Sequence, residues 1–177
     1  EIFDRVSQAT AKRRQLKIRY RKPNQKPEER VIDPYQLANI NNEWYLYAFD
    51  HKRRDIRCFV PTRILEVEST GRTFERPDSF TLDNYLADSF GVYKGDESYN
   101  ICVRFTKTVA PFIKEKNWHP TQQIKNLKDG SVELSLQLSH LSDIQRWILG
   151  WGSQATVLAP RELAESVRAE AQGIVDN

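Results

Sequence analysis

The sequence predicts an α+β chain in two parts: a small SH3/Sm-like β-barrel with an N-terminal helix, then a ferredoxin-like α+β domain. Three observations predict it. Short strands joined by hairpin signals fill the chain up to about residue 68. Regular periodicity then vanishes from Gly71 to Ser98. After Ser98 the elements read strand-helix-strand-strand-helix-strand, the ferredoxin-like order, with one extra terminal helix. The expected division is a barrel over 1–75, an ordered strap over 76–98 and a second domain over 99–177.

Taken in order, Ile2, Phe3, Val6 and Ala9 recur at helical spacing, and Lys12, Arg13 and Arg14 complement the dipole at the end of a helix over 2–15. Leu16, Ile18 and Tyr20 then alternate with Lys17, Arg19 and Arg21, a strand with one wet face. Seven basic residues lie between Lys12 and Lys22 with no acid among them, which fits an edge strand protected by charge or a ligand surface. After the turn at Lys22-Pro23-Asn24 comes a strand over 30–37, where Pro34 implies an edge position or a bend. Asn41-Asn42 reverses the chain into a strand starting at Trp44; residues 51–54 turn again; Ile56–Val60 and Ile64–Glu68 complete the barrel.

The strap is interrupted by Pro77, Gly91 and Gly95, yet Phe80, Tyr85, Phe90 and Val92 are too apolar for a free linker. Tyr99, Ile101, Val103 and Phe105 alternate as a strand, and Val109, Phe112 and Ile113 mark a helical face. A weaker strand over 122–127 meets Asp129-Gly130, a strong hairpin signal, before Val132, Leu134, Leu136 and Leu138. Leu141-Ser142 reads as staple and N-cap of a helix burying Ile144, Trp147, Ile148 and Trp151, stopped by Gly150 and Gly152. A strand over 155–158 and a helix opened by Pro160, with Leu163, Val167, Ala171 and Ile174 inward, end the chain.

Composition bounds the function. At 39% hydrophobic and 29% charged residues the chain reads as an ordinary water-soluble protein, with no apolar run near the roughly 18 residues a membrane span needs and no signal-peptide layout. A cytoplasmic location follows as an expectation. Cys58 and Cys102 read as free thiols, and His51, His119 and His140 lack ligand spacing, so neither a metal nor a cofactor is expected. The chain starts at Glu1 and contains no methionine, which suggests a fragment of something longer. Residues 1–70 carry 15 Lys or Arg against 10 Asp or Glu, and residues 71–177 carry 12 against 14, so the net +3 divides as +5 and −2. An anion-binding surface therefore belongs to the first half.

Its best candidate is the run from Glu43 to Arg63. In the Trp44 strand, Trp44, Leu46 and Ala48 fall on one side and Tyr45, Tyr47 and Phe49 on the other. Rings can stack on a base, and the forks of Arg57 and Arg63 can clamp phosphate; a packed barrel corner with solvated arginines fits the same residues equally well. Enzymatic patterns are sparse: no phosphate-cradling loop exists, and His51 near Asp55 is the one candidate for an oriented base.

Trp44-Tyr45-Leu46, with Tyr20, Arg30, Pro34, Leu37, Arg57-Cys58-Phe59 and Arg63-Ile64 around it, resembles the WYL domain over about residues 1–75. Phe90-Gly91-Val92, the Trp147 helix and Pro160-Arg161-Glu162-Leu163 are similar to the C-terminal extension that commonly follows it. The resemblance implies the sensing and dimerisation region of a bacterial transcription regulator. An N-terminal winged helix-turn-helix, missing here, would bind double-stranded DNA; the barrel would bind a single-stranded nucleic acid or nucleotide effector; the extension would help form a homodimer. It implies a ligand surface of Tyr20, Tyr45, His51, Arg57 and Arg63. One departure is Val60-Pro61-Thr62, where an acidic residue commonly precedes the arginine matching Arg63. A ligand-free structural dimerisation module is the alternative, and a nucleotide-processing enzyme using His51 and Asp55 a remote one.

Overall fold

The structure, a computed structural model, describes residues 1–176. The chain divides between Leu82 and Asp83 into two compact units.

In the first unit helix α1 (Ile2–Ala11) precedes strands β1 (Arg14–Tyr20), β2 (Glu28–Ile40), β3 (Glu43–Asp50), β4 (Asp55–Phe59) and β5 (Ile64–Thr73). They form one antiparallel sheet in the order β4-β3-β2-β1-β5. Its core gathers Val6 and Ala9 from α1 with Leu16, Ile18, Ile32, Leu46, Ala48, Phe59, Ile64 and Val67. The helix ends four residues before the expected Gln15, because Arg13 takes a left-handed conformation (φ 49°) and turns the chain into β1. The basic strand β1 is interior, paired to both β2 and β5, so charge protection of an edge is not its role. Pro34 likewise sits on a central strand and marks a bend: the β2–β3 register passes from Pro34↔Ala48 to Gln36↔Tyr47, leaving Tyr35 as a bulge. Asn41 and Asn42 both have positive φ, as a tight hairpin reversal requires.

In the second unit β6 (Tyr99–Phe105), α3 (Ala110–Lys114), β7 (Gln123–Asn126), β8 (Val132–Leu138), α4 (Ser142–Gly150), β9 (Ala155–Ala159) and α5 (Arg161–Asp176) follow a four-residue helix α2 (Leu82–Tyr85). The antiparallel order β7-β8-β6-β9 is the ferredoxin-like arrangement. Twelve buried residues, among them Val103, Phe105, Leu134, Ile144 and Leu163, form the core, with Trp118, Trp147 and Trp151 packed against it. Ser142 is the first residue of α4 and Leu141 its cap position, with no side-chain cap bond. Asp143 instead turns to the strap and accepts from the amides of Val92 (2.9 Å) and Tyr93 (3.2 Å). At the other end of the chain, Ala171 and Ile174 are exposed rather than inward, Ile174 at 73%. No helix among the described residues is long and apolar enough to cross a membrane.

Candidate functional site

Strand β3 presents two covered faces. Leu46 and Ala48 lie in the core, and Tyr47 on the opposite face is buried as well. Trp44, expected with Leu46, is 43% exposed and packs edge-on to Phe3 of α1 at 5.1 Å. The aromatic strand therefore owes most of its composition to packing.

The five candidate residues separate in space. Tyr20 is buried, edge-on to Phe59 at 5.1 Å, and its hydroxyl accepts from the Val60 amide at 3.1 Å. With its ring covered, it supports the end of β4 from inside and has no open face for a base. Tyr45 is half-buried, and its hydroxyl donates to Glu43 at 2.9 Å. His51 lies six residues farther along the same alternate face, roughly 20 Å away at strand rise. Arg57 is exposed on the other face, since it pairs in register with Ala48, and its guanidinium meets Asp55 at 3.1 Å. Arg63 closes a single turn of 3₁₀ helix (Pro61–Arg63) beyond β4.

His51 is oriented, but by Asp33 and not by Asp55. Its Nε2 lies 2.8 Å from Asp33 Oδ2, while the Gln15 amide donates to Oδ1 at 2.8 Å. Thr70 in turn donates to the Gln15 side-chain oxygen at 3.1 Å. With its proton on Nε2 the imidazole donates to Asp33, so the 3.1 Å approach of Gln15 to the same nitrogen is packing rather than a second hydrogen bond. Asp33 and Gln15 are buried, and neither stood out in the sequence, because strand pairing alone brings residues 15, 33, 51 and 70 together.

A second polar knot holds the basic corner. Asp50, 3% exposed, accepts from the amides of Lys52 (2.9 Å) and Arg53 (3.3 Å) and faces the buried Arg30 guanidinium at 3.5 Å. Glu28 joins Arg30 and Lys52, each at 2.9 Å, and the hydrogen bond from Lys52, then the charge of Arg30, holds its carboxyl below the usual range. These carboxylates pair with Arg30 and Lys52 of the basic corner, whereas Arg53 and Arg54 have no ion pair among the described residues.

Of the five candidates, Arg63 borders a basic concavity. Arg21, Lys22, Pro23, Asn24, Gln25 and Arg63 line a hollow of about 500 Å³ with no carboxylate in its wall. The Arg21 amide donates to the Arg63 carbonyl at 3.1 Å, which fixes the end of β1 beside the 3₁₀ turn. Thr62, where an acid would have offered Arg63 a partner, leaves it without an ion pair among the described residues. No aromatic ring lines this hollow, so its chemistry is that of an anion clamp and not of a stacking platform. Pairing of Tyr20 with Ile64 explains the meeting of Arg21 and Arg63, a closure the sequence could not supply. Among the described residues no group of three or more potential metal ligands exists.

The WYL domain model matches residues 1–69, and the WCX domain model matches residues 97–175. Protein PafC of Mycobacterium tuberculosis is 27% identical over 147 residues, 83% of this chain and 45% of that protein. Protein PafC of Mycobacterium leprae is 24% identical over 148 residues, 84% of this chain and 44% of that protein. The chain thus spans less than half the length of the curated relatives it matches. Among solved structures, a CRISPR Cas-related protein superposes on 99% of this chain and 50% of its own with a TM-score of 0.63 at 11% identity, a likeness of fold. Proteasome accessory factor B/C (PafBC) of Arthrobacter aurescens aligns over 96% of this chain and 26% of its own at 21% identity, with a TM-score of 0.40.

Proposed function

Because the chain is a WYL domain followed by a WCX domain, we propose that it is the effector-sensing and dimerisation region of a DNA-binding transcriptional regulator. The effector is a single-stranded nucleic-acid fragment or a nucleotide, and contact with double-stranded DNA belongs to a winged helix-turn-helix outside this sequence. The observation that carries the effector reading is the acid-free hollow of Arg21, Lys22 and Arg63. Three cations around an open concavity suit a run of phosphates and repel no anion at the wall. Arg57, His51 and Tyr45 supply weaker, separate contacts along the strand flanks, since Arg57 and Tyr45 already engage carboxylates.

Titration of the full chain with a short single-stranded DNA at several salt concentrations tests this. Three phosphate contacts give a log-log salt slope of roughly −2, and Arg63→Ala reduces its magnitude by about 0.7. Absence of binding at low salt, or equal affinity for Arg63→Ala, overturns the effector reading. A ligand-free dimerisation module is then what stands, a reading favoured by the ion pairs of Arg19, Arg30 and Arg57 with Glu66, Asp50 and Asp55.

A further inference from the structure

Three irregularities of the first unit converge on a different concavity. Arg13 holds its left-handed φ of 49° at the exit of α1. Tyr35 is the extra residue of the β2 bulge. Phe74, just past β5, is tied by its amide to the Arg13 carbonyl at 3.0 Å. Between them, with Thr10, Gln36 and Arg76, lies a hollow of about 460 Å³, within the usual range for small-molecule sites. Non-glycine residues in the left-handed region and bulges both cost stability and gather where a side chain must be aimed.

The wall chemistry is specific. Two arginines line the hollow and no carboxylate does. Arg76 is held by a single 3.4 Å bond to the Tyr35 carbonyl, leaving most of its guanidinium donors for a ligand, and the Arg13 side chain has no ion pair among the described residues. Tyr35 stands 5.7 Å from Phe74 at 35° and 5.1 Å from the buried Phe80 at 58°, so the half-buried Phe74 is the ring that a ligand's ring can edge or face. Burial, then the charge of Asp33, pushes the Tyr35 phenol pKa up, so it stays a neutral donor. Asp33 itself accepts from Gln15 and His51 and does not line the hollow.

We propose that the hollow formed by Arg13, Tyr35, Gln36, Phe74 and Arg76 binds a small molecule that joins one flat aromatic ring to a single carboxylate or phosphate, at a site separate from the Arg21–Arg63 hollow. The guanidiniums take the anion and Phe74, backed by Tyr35, takes the ring. Since α1, the β2 bulge and the end of β5 all contribute wall residues, occupancy ties the helix to the sheet.

The test is amide chemical-shift titration of the full chain with salicylate, adenosine 5′-monophosphate, adenosine and inorganic phosphate. One or both ring-bearing anions should move Thr10, Gln36 and Phe74, and which of them does so distinguishes a carboxylate from a phosphate ligand. Arg13→Gln, at an exposed position, should weaken that binding at least tenfold, Arg76→Gln as much or more, and Arg63→Ala not at all. No shift with either ring-bearing anion overturns the proposal. So does equal binding of adenosine or inorganic phosphate, retained affinity in Arg13→Gln, or loss of binding in Arg63→Ala, which would move the ligand to the other hollow.

Discussion

The two units solve the problem of a stable core differently. In the first, the buried polar groups are Gln15, Arg30, Asp33 and Asp50, three of them of ionisable type; in the second they are Ser89, His119, Ser131 and Ser139. Among the described residues, every non-glycine residue with positive φ, namely Arg13, Asn24, Asn41, Asn42 and Arg54, also belongs to the first unit, whereas only glycines take that region in the second. Buried charge and backbone strain are thus confined to the half that carries both basic hollows. The second half rests on aliphatic layers and a tryptophan group, with Trp147 4.8 Å from Trp118 and 5.8 Å from Trp151.

The contrast breaks most visibly in the cores. Phe105→Ala removes a fully buried ring in contact with Trp147 and Trp151 and should cost about 3–5 kcal/mol in urea unfolding. Asp50→Ala should cost less, about 1–3 kcal/mol, because Arg30 keeps Glu28 at 2.9 Å when it loses Asp50 at 3.5 Å, and the Lys52 and Arg53 amides lose their acceptor. The comparison sharpens in the double variant. Replacing Arg30 and Asp50 together by Met and Leu should recover much of the loss, because desolvation of both charges disappears with their attraction. A double variant as unstable as Asp50→Ala would mean that the amide bonds of Asp50 to Lys52 and Arg53 matter more than the ion pair.

Glycine requirements differ in the same sense. A Cβ at Gly95 would fall 2.2 Å from the Ser139 carbonyl oxygen, a backbone atom that cannot swing aside. Gly95→Ala should therefore destabilise the second unit by about 1–3 kcal/mol, read as a lower thermal midpoint. It should leave the first unit's amide spectrum unchanged. This tests the strap as a structural part of the second unit, where Ser139 donates its amide (2.7 Å) and its hydroxyl (3.0 Å) to the Asp88 carbonyl.

Much of this architecture was legible before any coordinates. Alternation located the strands because each sheet has one apolar face, and Asn41-Asn42 and Asp129-Gly130 located two reversals because few residues accept positive φ. What could not be read is whatever depends on which strands become neighbours. Arg57 and Tyr45 are twelve residues apart and seemed to share a surface, yet antiparallel register puts Arg57 opposite Ala48 and away from the tyrosine face. Asp33 partners His51 across a hairpin of long strands, whereas the nearer Asp55 does not. The basic hollow forms only because β5 returns beside β1.

A smaller effect separates the units by pH. Burial lowers the His119 pKa, outweighing the Ala87 carbonyl and the Asp88 charge that favour its proton. The Thr121 amide lies 3.2 Å from Nδ1 and donates to it, so that nitrogen is bare and its protonation breaks the bond. The unfolded chain therefore binds this proton more readily than the folded one. Stability contributed by His119 is complete above the ordinary value of 6.5 and declines as pH falls below it toward the lowered folded value. The thermal midpoint of the second unit should drop between about pH 7 and 5, and His119→Gln should flatten that drop. An unchanged pH profile in His119→Gln would assign the acid sensitivity elsewhere.

The least effect on stability is expected at Arg57, and it bears most directly on recognition. Its partner Asp55 is 56% exposed and Arg57 itself 54%, so the pair sits in water, where such bridges contribute less than about 1 kcal/mol. Arg57→Ala should accordingly leave the unfolding midpoint nearly unchanged. It should also weaken single-stranded DNA binding less than Arg63→Ala, because a ligand phosphate must displace a carboxylate at Arg57 and none at Arg63. Asp55→Asn reverses the condition by freeing Arg57, and affinity should then rise modestly. If Arg57→Ala proves the more damaging of the two arginine changes, the effector lies along the face of β4 and the acid-free hollow is not where it docks.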